Sequence, residues 1–182
     1  MNRRLTALVI GNAAYAGNSK LKNPGNDADD VASKLDACGF EVVKLIDCSN
    51  TDLDRALKRL KRALVGNDVG LVYVAGHGMQ IDGENYLAAV DTDTEGEVEA
   101  THSSLPLNRL IDVMEKADTT TNIIILDACR DNPFERAWTR SSASRGLAPV
   151  YAPKGTLSAL QAEAGSQLPR MATNHHRQGR RR

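Results

Sequence analysis

Apolar residues fall along this chain in two rhythms: short unbroken runs, and stretches where they recur every three or four positions. The first suits strands covered on both faces, the second the inward face of a helix. Residues 5–10 form the first run and stop at Gly11-Asn12, and residues 12–26, with their Asn, Gly and Pro, read as a loop. From residue 27 onward Ala28, Val31, Ala32, Leu35 and Cys38 keep helical spacing, with Asn26 placed as N-cap and Gly39 as the residue after the C-terminus. Residues 41–46 read as a second strand. Thr51 is placed to cap a second helix with Leu53, Ala56, Leu57, Leu60 and Leu64 on its apolar face, closed by Gly66. Residues 68–75 and 122–127 read as further strands. Between them lie a hairpin over 79–90 centred on Gly83, an acidic loop over 91–101, and a helix marked by Leu107, Leu110, Ile111 and Met114 with Pro106 near its start. This order predicts an α/β fold with a mostly parallel sheet, right-handed crossovers and helices on both faces.

In open sheets of this kind ligands bind outside the carboxyl ends of the strands. Two apolar runs deliver chemistry there. Leu71-Val72-Tyr73-Val74-Ala75 leads into Gly76-His77-Gly78, and Ile123-Ile124-Ile125-Leu126 leads into Asp127-Ala128-Cys129. A hydrolytic thiol needs a neighbouring imidazole to raise its thiolate fraction, and His77 supplies one for Cys129. With no side chain at Gly78, its N–H can approach a carbonyl oxygen and form an oxyanion hole with the N–H of Cys129. Either motif alone has a plainer reading, since a lone buried cysteine is usually core and Gly-His-Gly can be a turn. Their joint placement at strand ends points to a cysteine hydrolase.

Composition narrows the field. A length of 182 residues with 41% hydrophobic content suits one domain with a real core. Lys+Arg and Asp+Glu number 23 each, so no net field favours nucleic acid or an anionic membrane as partner. The cations Arg55, Lys58, Arg59, Lys61 and Arg62 read as the solvated face of the second helix. Asp91, Asp93, Glu95, Glu97 and Glu99 alternate without EF-hand spacing, so calcium dependence is possible but not indicated, and His175-His176 lack a third metal ligand nearby. Three cysteines, an odd count without a CxxC pair, fit a reducing compartment, and with no signal-like or membrane-length apolar run the expectation is a cytoplasmic protein.

The motifs resemble those of the caspase-like cysteine peptidases, most closely the bacterial paracaspase and metacaspase branch. Tyr73-Val74-Ala75-Gly76-His77-Gly78 is similar to the family's histidine motif and Leu126-Asp127-Ala128-Cys129-Arg130 to its cysteine motif, with His77 lying 52 positions before Cys129. Residues 7–15, 21–28 and 39–42 match in order, so the resemblance covers roughly residues 5–156. It implies a three-layer α/β/α sandwich and a His77/Cys129 dyad cutting peptide bonds through a thioester acyl-enzyme. It also implies cleavage after Arg or Lys, with Asp27 and Asp127 as acidic pocket residues, protein or peptide substrates and no cofactor. For Asp27 a helix first-turn carboxylate, and for Asp127 a strand-end cap, are the structural alternatives.

The carboxyl end departs from the family pattern. Residues 157–161 do not continue as an apolar run, so the expectation is a catalytic domain over 1–156, truncated after its large-subunit part, and an atypical, disordered tail over 157–182. A missing strand beside Cys129 would leave a sheet edge open to self-association. Two other functions therefore stand beside the peptidase: a non-catalytic caspase-like interaction module, and a thioester or other acyl hydrolase.

Overall fold

The computed structural model describes residues 3–16, 19–117, 119–129, 147 and 156–161, with Cys129 and most of the last strand described by their backbone. The elements in order are β1 (Leu5–Gly11), α1 (Pro24–Ala37), β2 (Glu41–Ile46), α2 (Asn50–Ala63), β3 (Val69–Ile81), β4 (Glu84–Ala88), α3 (Glu97–His102), β5 (Ser104–Pro106), α4 (Leu107–Glu115), β6 (Thr121–Cys129) and β7 (Thr156–Gln161). Parallel pairing runs β2-β1-β3-β6-β7, and the far end of β3 turns into an antiparallel ribbon with β4 and β5.

The alternation of strand residues decides which helix covers which face. Ala7, Val9, Leu71, Tyr73 and Ala75 pack with Ala28 and Ala32 of α1. Leu8, Ile10, Val72, Val74, Ile124 and Leu126 pack on the opposite face with Leu53, Leu57 and Leu60 of α2 and Leu110 and Met114 of α4. The expected α/β/α layering is therefore present. At Gly11 a Cβ would lie 2.3 Å from the Pro24 carbonyl oxygen and 2.7 Å from the Ala28 Cβ, so glycine lets the start of α1 cross tightly over the end of β1.

Several boundaries differ from the sequence expectation. α1 starts earlier, with Asn23 as N-cap and Pro24 in the first turn, where a residue without an N–H is at no disadvantage. α2 is capped by Ser49 rather than Thr51. The Ser49 side chain accepts from the Asp52 N–H, and the Asp52 carboxylate accepts from the Ser49 N–H, a reciprocal box that starts the helix two residues earlier. The expected hairpin is there. Its two-residue turn places Asp82 at φ 50° and Gly83 at φ 82°, the positive values that tight hairpins require. The acidic loop partly folds into α3, and Asp91 and Asp93 accept backbone N–H groups of Asn50 and Glu95 at 2.7 and 3.0 Å.

The largest correction concerns the carboxyl end. Residues 156–161 are a strand, and β7 pairs in parallel with β6 from Asn122↔Thr156 to Asp127↔Gln161. Among the described residues β7 pairs with β6 alone, and Ala159 is exposed, so the segment does not need an unbroken apolar run. The edge expected to lie open along β6 is covered over that stretch, which removes the stated reason for self-association through it. Residues 130–155, apart from Leu147, and the tail over 162–182 lie outside the described residues. A chain ending at residue 155 should expose the β6 edge and associate more strongly than the 182-residue chain, read as a steeper rise in sedimentation coefficient with concentration.

Candidate active site

β3 is paired with β1 as far as Gly11↔Ala75 and with β6 as far as His77↔Cys129, and its antiparallel pairing with β4 begins at Gly78↔Leu87. His77 thus sits where β3 leaves the parallel sheet, rather than at the strand's own end. Register partners on neighbouring strands lie about 5 Å apart. The backbones of His77 and Cys129 are side by side; the Cys129 thiol itself lies outside the described residues.

The polar loop after β1 fixes His77. Tyr15 is 2% exposed, and its hydroxyl accepts the His77 N–H at 3.0 Å and donates to the Ala88 carbonyl at 3.3 Å. The two rings lie 4.5 Å apart between centroids at 52°. Asn12, also 2% exposed, donates its amide to the Ala88 carbonyl at 3.1 Å and accepts the Cys48 N–H at 2.9 Å. Asp47 holds the same loop by accepting the N–H groups of Ala13 and Ala14 at 2.8 and 2.9 Å. Gly76 permits this closeness: a Cβ there would lie 2.6 Å from the Tyr15 hydroxyl, at a φ of 154° that side chains rarely adopt.

His77 is buried, and its Nε2 lies 2.7 Å from the Ser19 carbonyl oxygen. A carbonyl only accepts, so Nε2 carries the proton and donates it, and the neutral ring keeps its lone pair on Nδ1. Burial pushes the imidazole below its ordinary 6.5, against an opposing effect of the Ser19 carbonyl. The ring is a neutral base at neutral pH. Gly78 packs closely on β6, since a Cβ there would lie 3.2 Å from the Ala128 Cβ and 3.0 Å from Leu147 Cδ2.

The two expected pocket acids come together around one phenol. Asp127 stands two residues before Cys129 in β6, Asp27 stands in the first turn of α1, and both are half-buried. Tyr73 donates its hydroxyl to Asp127 Oδ2 at 3.3 Å. Burial first, then the carboxylates of Asp127 and Asp27, pushes this phenol well above its usual range. The other described thiols differ from the candidate nucleophile. Burial, with Asp52 and Asp47, raises Cys48 to about 11, which holds it as the thiol. Cys38, expected on the apolar face of α1, is exposed, because it is the C-cap and the packed stripe ends before it. Among the described residues no group of three His, Cys, Asp or Glu could hold a metal ion, and no helix is long and apolar enough to cross a membrane.

Asn12, Tyr15 and Tyr73 lie within the matched stretches, and their roles emerge only from the structure. The tyrosines were legible in principle, as aromatics in a polar loop and in a run entering the rim. Ser19 acts through its backbone carbonyl and leaves no side-chain signal.

A helix-covered parallel sheet carrying His and Cys on adjacent central strands defines a caspase-like α/β domain. The model of the caspase domain, a peptidase family, matches residues 4–178, and the chain belongs to that family. The match runs past residue 156, in keeping with β7 as part of the domain. The chain is 31% identical over 124 residues to the mucosa-associated lymphoid tissue lymphoma translocation protein 1 of Homo sapiens and, to the same extent, to its Mus musculus homolog. That stretch is 68% of this chain but 15% and 14% of those relatives, so the chain spans a small part of their length. Among solved structures, a Geobacter sulfurreducens protein matches with a TM-score of 0.55 at 19% identity, covering 69% of this chain and 50% of that one. The Drosophila initiator caspase Dronc matches with a TM-score of 0.54 at 9% identity, covering 66% and 47%. At such identities these two structures speak for the fold. The matched family is one of cysteine peptidases.

Two predictions follow from the rim geometry. Tyr15→Phe leaves the buried His77 N–H and Ala88 carbonyl without that hydroxyl, and should cost about 1–3 kcal/mol in urea unfolding. Because the folded-state pKa of His77 lies below 6.5, the unfolded chain takes up its proton first; the stability that neutral His77 contributes is full above 6.5 and is lost as pH falls towards the folded value. Between about pH 7.5 and about pH 5 the wild type should therefore lose more unfolding free energy than His77→Gln, and equal losses would contradict this.

Proposed function

We propose that the domain is a cysteine endopeptidase that cleaves peptide bonds after Arg or Lys, with Cys129 as nucleophile and His77 as general base. The observation that carries this reading is the pairing of His77 with Cys129 across β3 and β6, with the ring's Nε2 committed to Ser19. In the proposed reaction Nδ1 takes the thiol proton as sulfur attacks the scissile carbonyl carbon. The N–H groups of Gly78 and Cys129 stabilise the oxyanion, and the imidazolium returns the proton to the leaving amine. A water molecule, deprotonated by the same imidazole, then hydrolyses the thioester. Asp27 and Asp127 receive the P1 cation, which suits two half-buried carboxylates brought to one phenol.

The chemistry requires no cofactor, and a free catalytic thiol suits a reducing cytoplasm. The non-catalytic alternative drew its force from final elements expected to be missing, and β7 beside β6 weakens it by supplying the first of them. A general acyl hydrolase is the weaker reading, because an acidic pair acting on one phenol suits a cationic side chain.

Short fluorogenic peptides ending in Arg, Lys or Asp test the reading. The expected result is release after Arg and Lys, with Cys129→Ala losing activity by at least about a thousandfold. Asp27→Asn and Asp127→Asn should each lower kcat/KM after Arg by about tenfold to a hundredfold while thermal unfolding stays cooperative. Release after Asp alone, or folded Asn variants with unchanged kcat/KM, would sink the assignment.

A further inference from the structure

Asp27 and Asp127 are not equivalent, because a third side chain acts on them unequally. Tyr73 lies in the core on the α1 face, packed among Ala7, Val9, Ala28, Leu71 and Ala75, so its ring has little freedom. Its hydroxyl has one proton to give, and that proton goes to Asp127 Oδ2. Burial and the two nearby carboxylates keep the phenol protonated across the working pH range, so the donation is permanent. A hydroxyl aimed at one oxygen from a packed ring favours one orientation of the carboxylate. Nothing comparable from Tyr73 reaches Asp27, whose carboxylate acts on the phenol without that hydrogen bond.

Arg and Lys place different demands on such a carboxylate. A guanidinium is a planar fork that gains most from a carboxylate in the matching plane, whereas an ammonium is a compact charge with rotatable donors. Resting on the peptidase reading above, we infer that Tyr73 is a positioning residue that sets P1 preference: by fixing the Asp127 carboxylate it favours Arg over Lys. Tyr73 takes no part in bond making or breaking in this scheme.

The test is the ratio of kcat/KM for two peptides that differ only in Arg or Lys at P1, measured on one preparation of Tyr73→Phe. A ratio from one sample cancels any loss of folded protein, so partial misfolding does not mask the answer. The expected result is a fall of about fivefold to tenfold in the Arg to Lys ratio, carried by the Arg peptide and mostly by its KM. Tyr15→Phe serves as the comparison. It should weaken cleavage of both peptides alike, because it acts through His77. An unchanged ratio in Tyr73→Phe, or an equal shift in Tyr15→Phe, overturns the role of Tyr73. Wild-type protein that cleaves neither peptide is a different outcome, and overturns the peptidase reading on which the inference rests.

Discussion

The approach of Tyr15 to the backbone at Gly76 is the constraint on which the rim depends. One phenol oxygen takes the N–H of His77 and gives its proton to Ala88, so it ties together β3 and the end of β4. Asn12 adds the β2–α2 connection through Cys48. These groups are almost wholly buried, where each unmet polar atom is costly, and the network therefore has one good arrangement. A Cβ at position 76 would occupy the place of the Tyr15 oxygen. The glycine before the histidine is thus demanded by the packing behind the site, while the glycine after it is demanded by the packing against β6.

Burial does opposite things to the two halves of the site. At His77 it lowers proton affinity, which yields a neutral ring with a defined tautomer because Ser19 offers only an acceptor. At Tyr73 it raises proton affinity and makes a permanent donor beside two acids. Asp27 and Asp127 themselves stay half-buried, within reach of a ligand. A cationic side chain entering there would meet one carboxylate, Asp127, already held by the Tyr73 hydroxyl, so less ordering remains for the ligand to drive.

Much of this was legible from the chain, and the failures share a cause. Long periodic segments such as α2 and α4, the buried runs of β1, β3 and β6, and the Asp82-Gly83 turn all follow from local patterning, because local physics and tertiary packing agree there. The pairing of His77 and Cys129 was readable as two apolar runs delivering chemistry to one rim. What escaped depends on contacts distant in sequence. The Ser19 carbonyl has no side-chain signature, and the work of Tyr15 exists only once residue 15 meets residue 77. β3 was read as ending at residue 75 because glycine usually interrupts a strand, yet here two glycines let the strand pass from a parallel sheet into a ribbon.

β7 was hidden for a different reason, and its position ties the carboxyl end to the chemistry. Among the described residues β7 has β6 as its one partner and is not obliged to be apolar on both faces, so Ser158, Ala159 and Gln161 carry no strand signal of the kind seen in β1 or β6. Its pairing with β6 nevertheless runs as far as Asp127↔Gln161, two residues short of Cys129. Asp127 therefore has β3 on one side, through Ala75, and β7 on the other. The acid that Tyr73 orients is held in the interior of the sheet by backbone pairing on both flanks. A segment that reads as a departure from the domain is in this way part of what fixes the charge at its site.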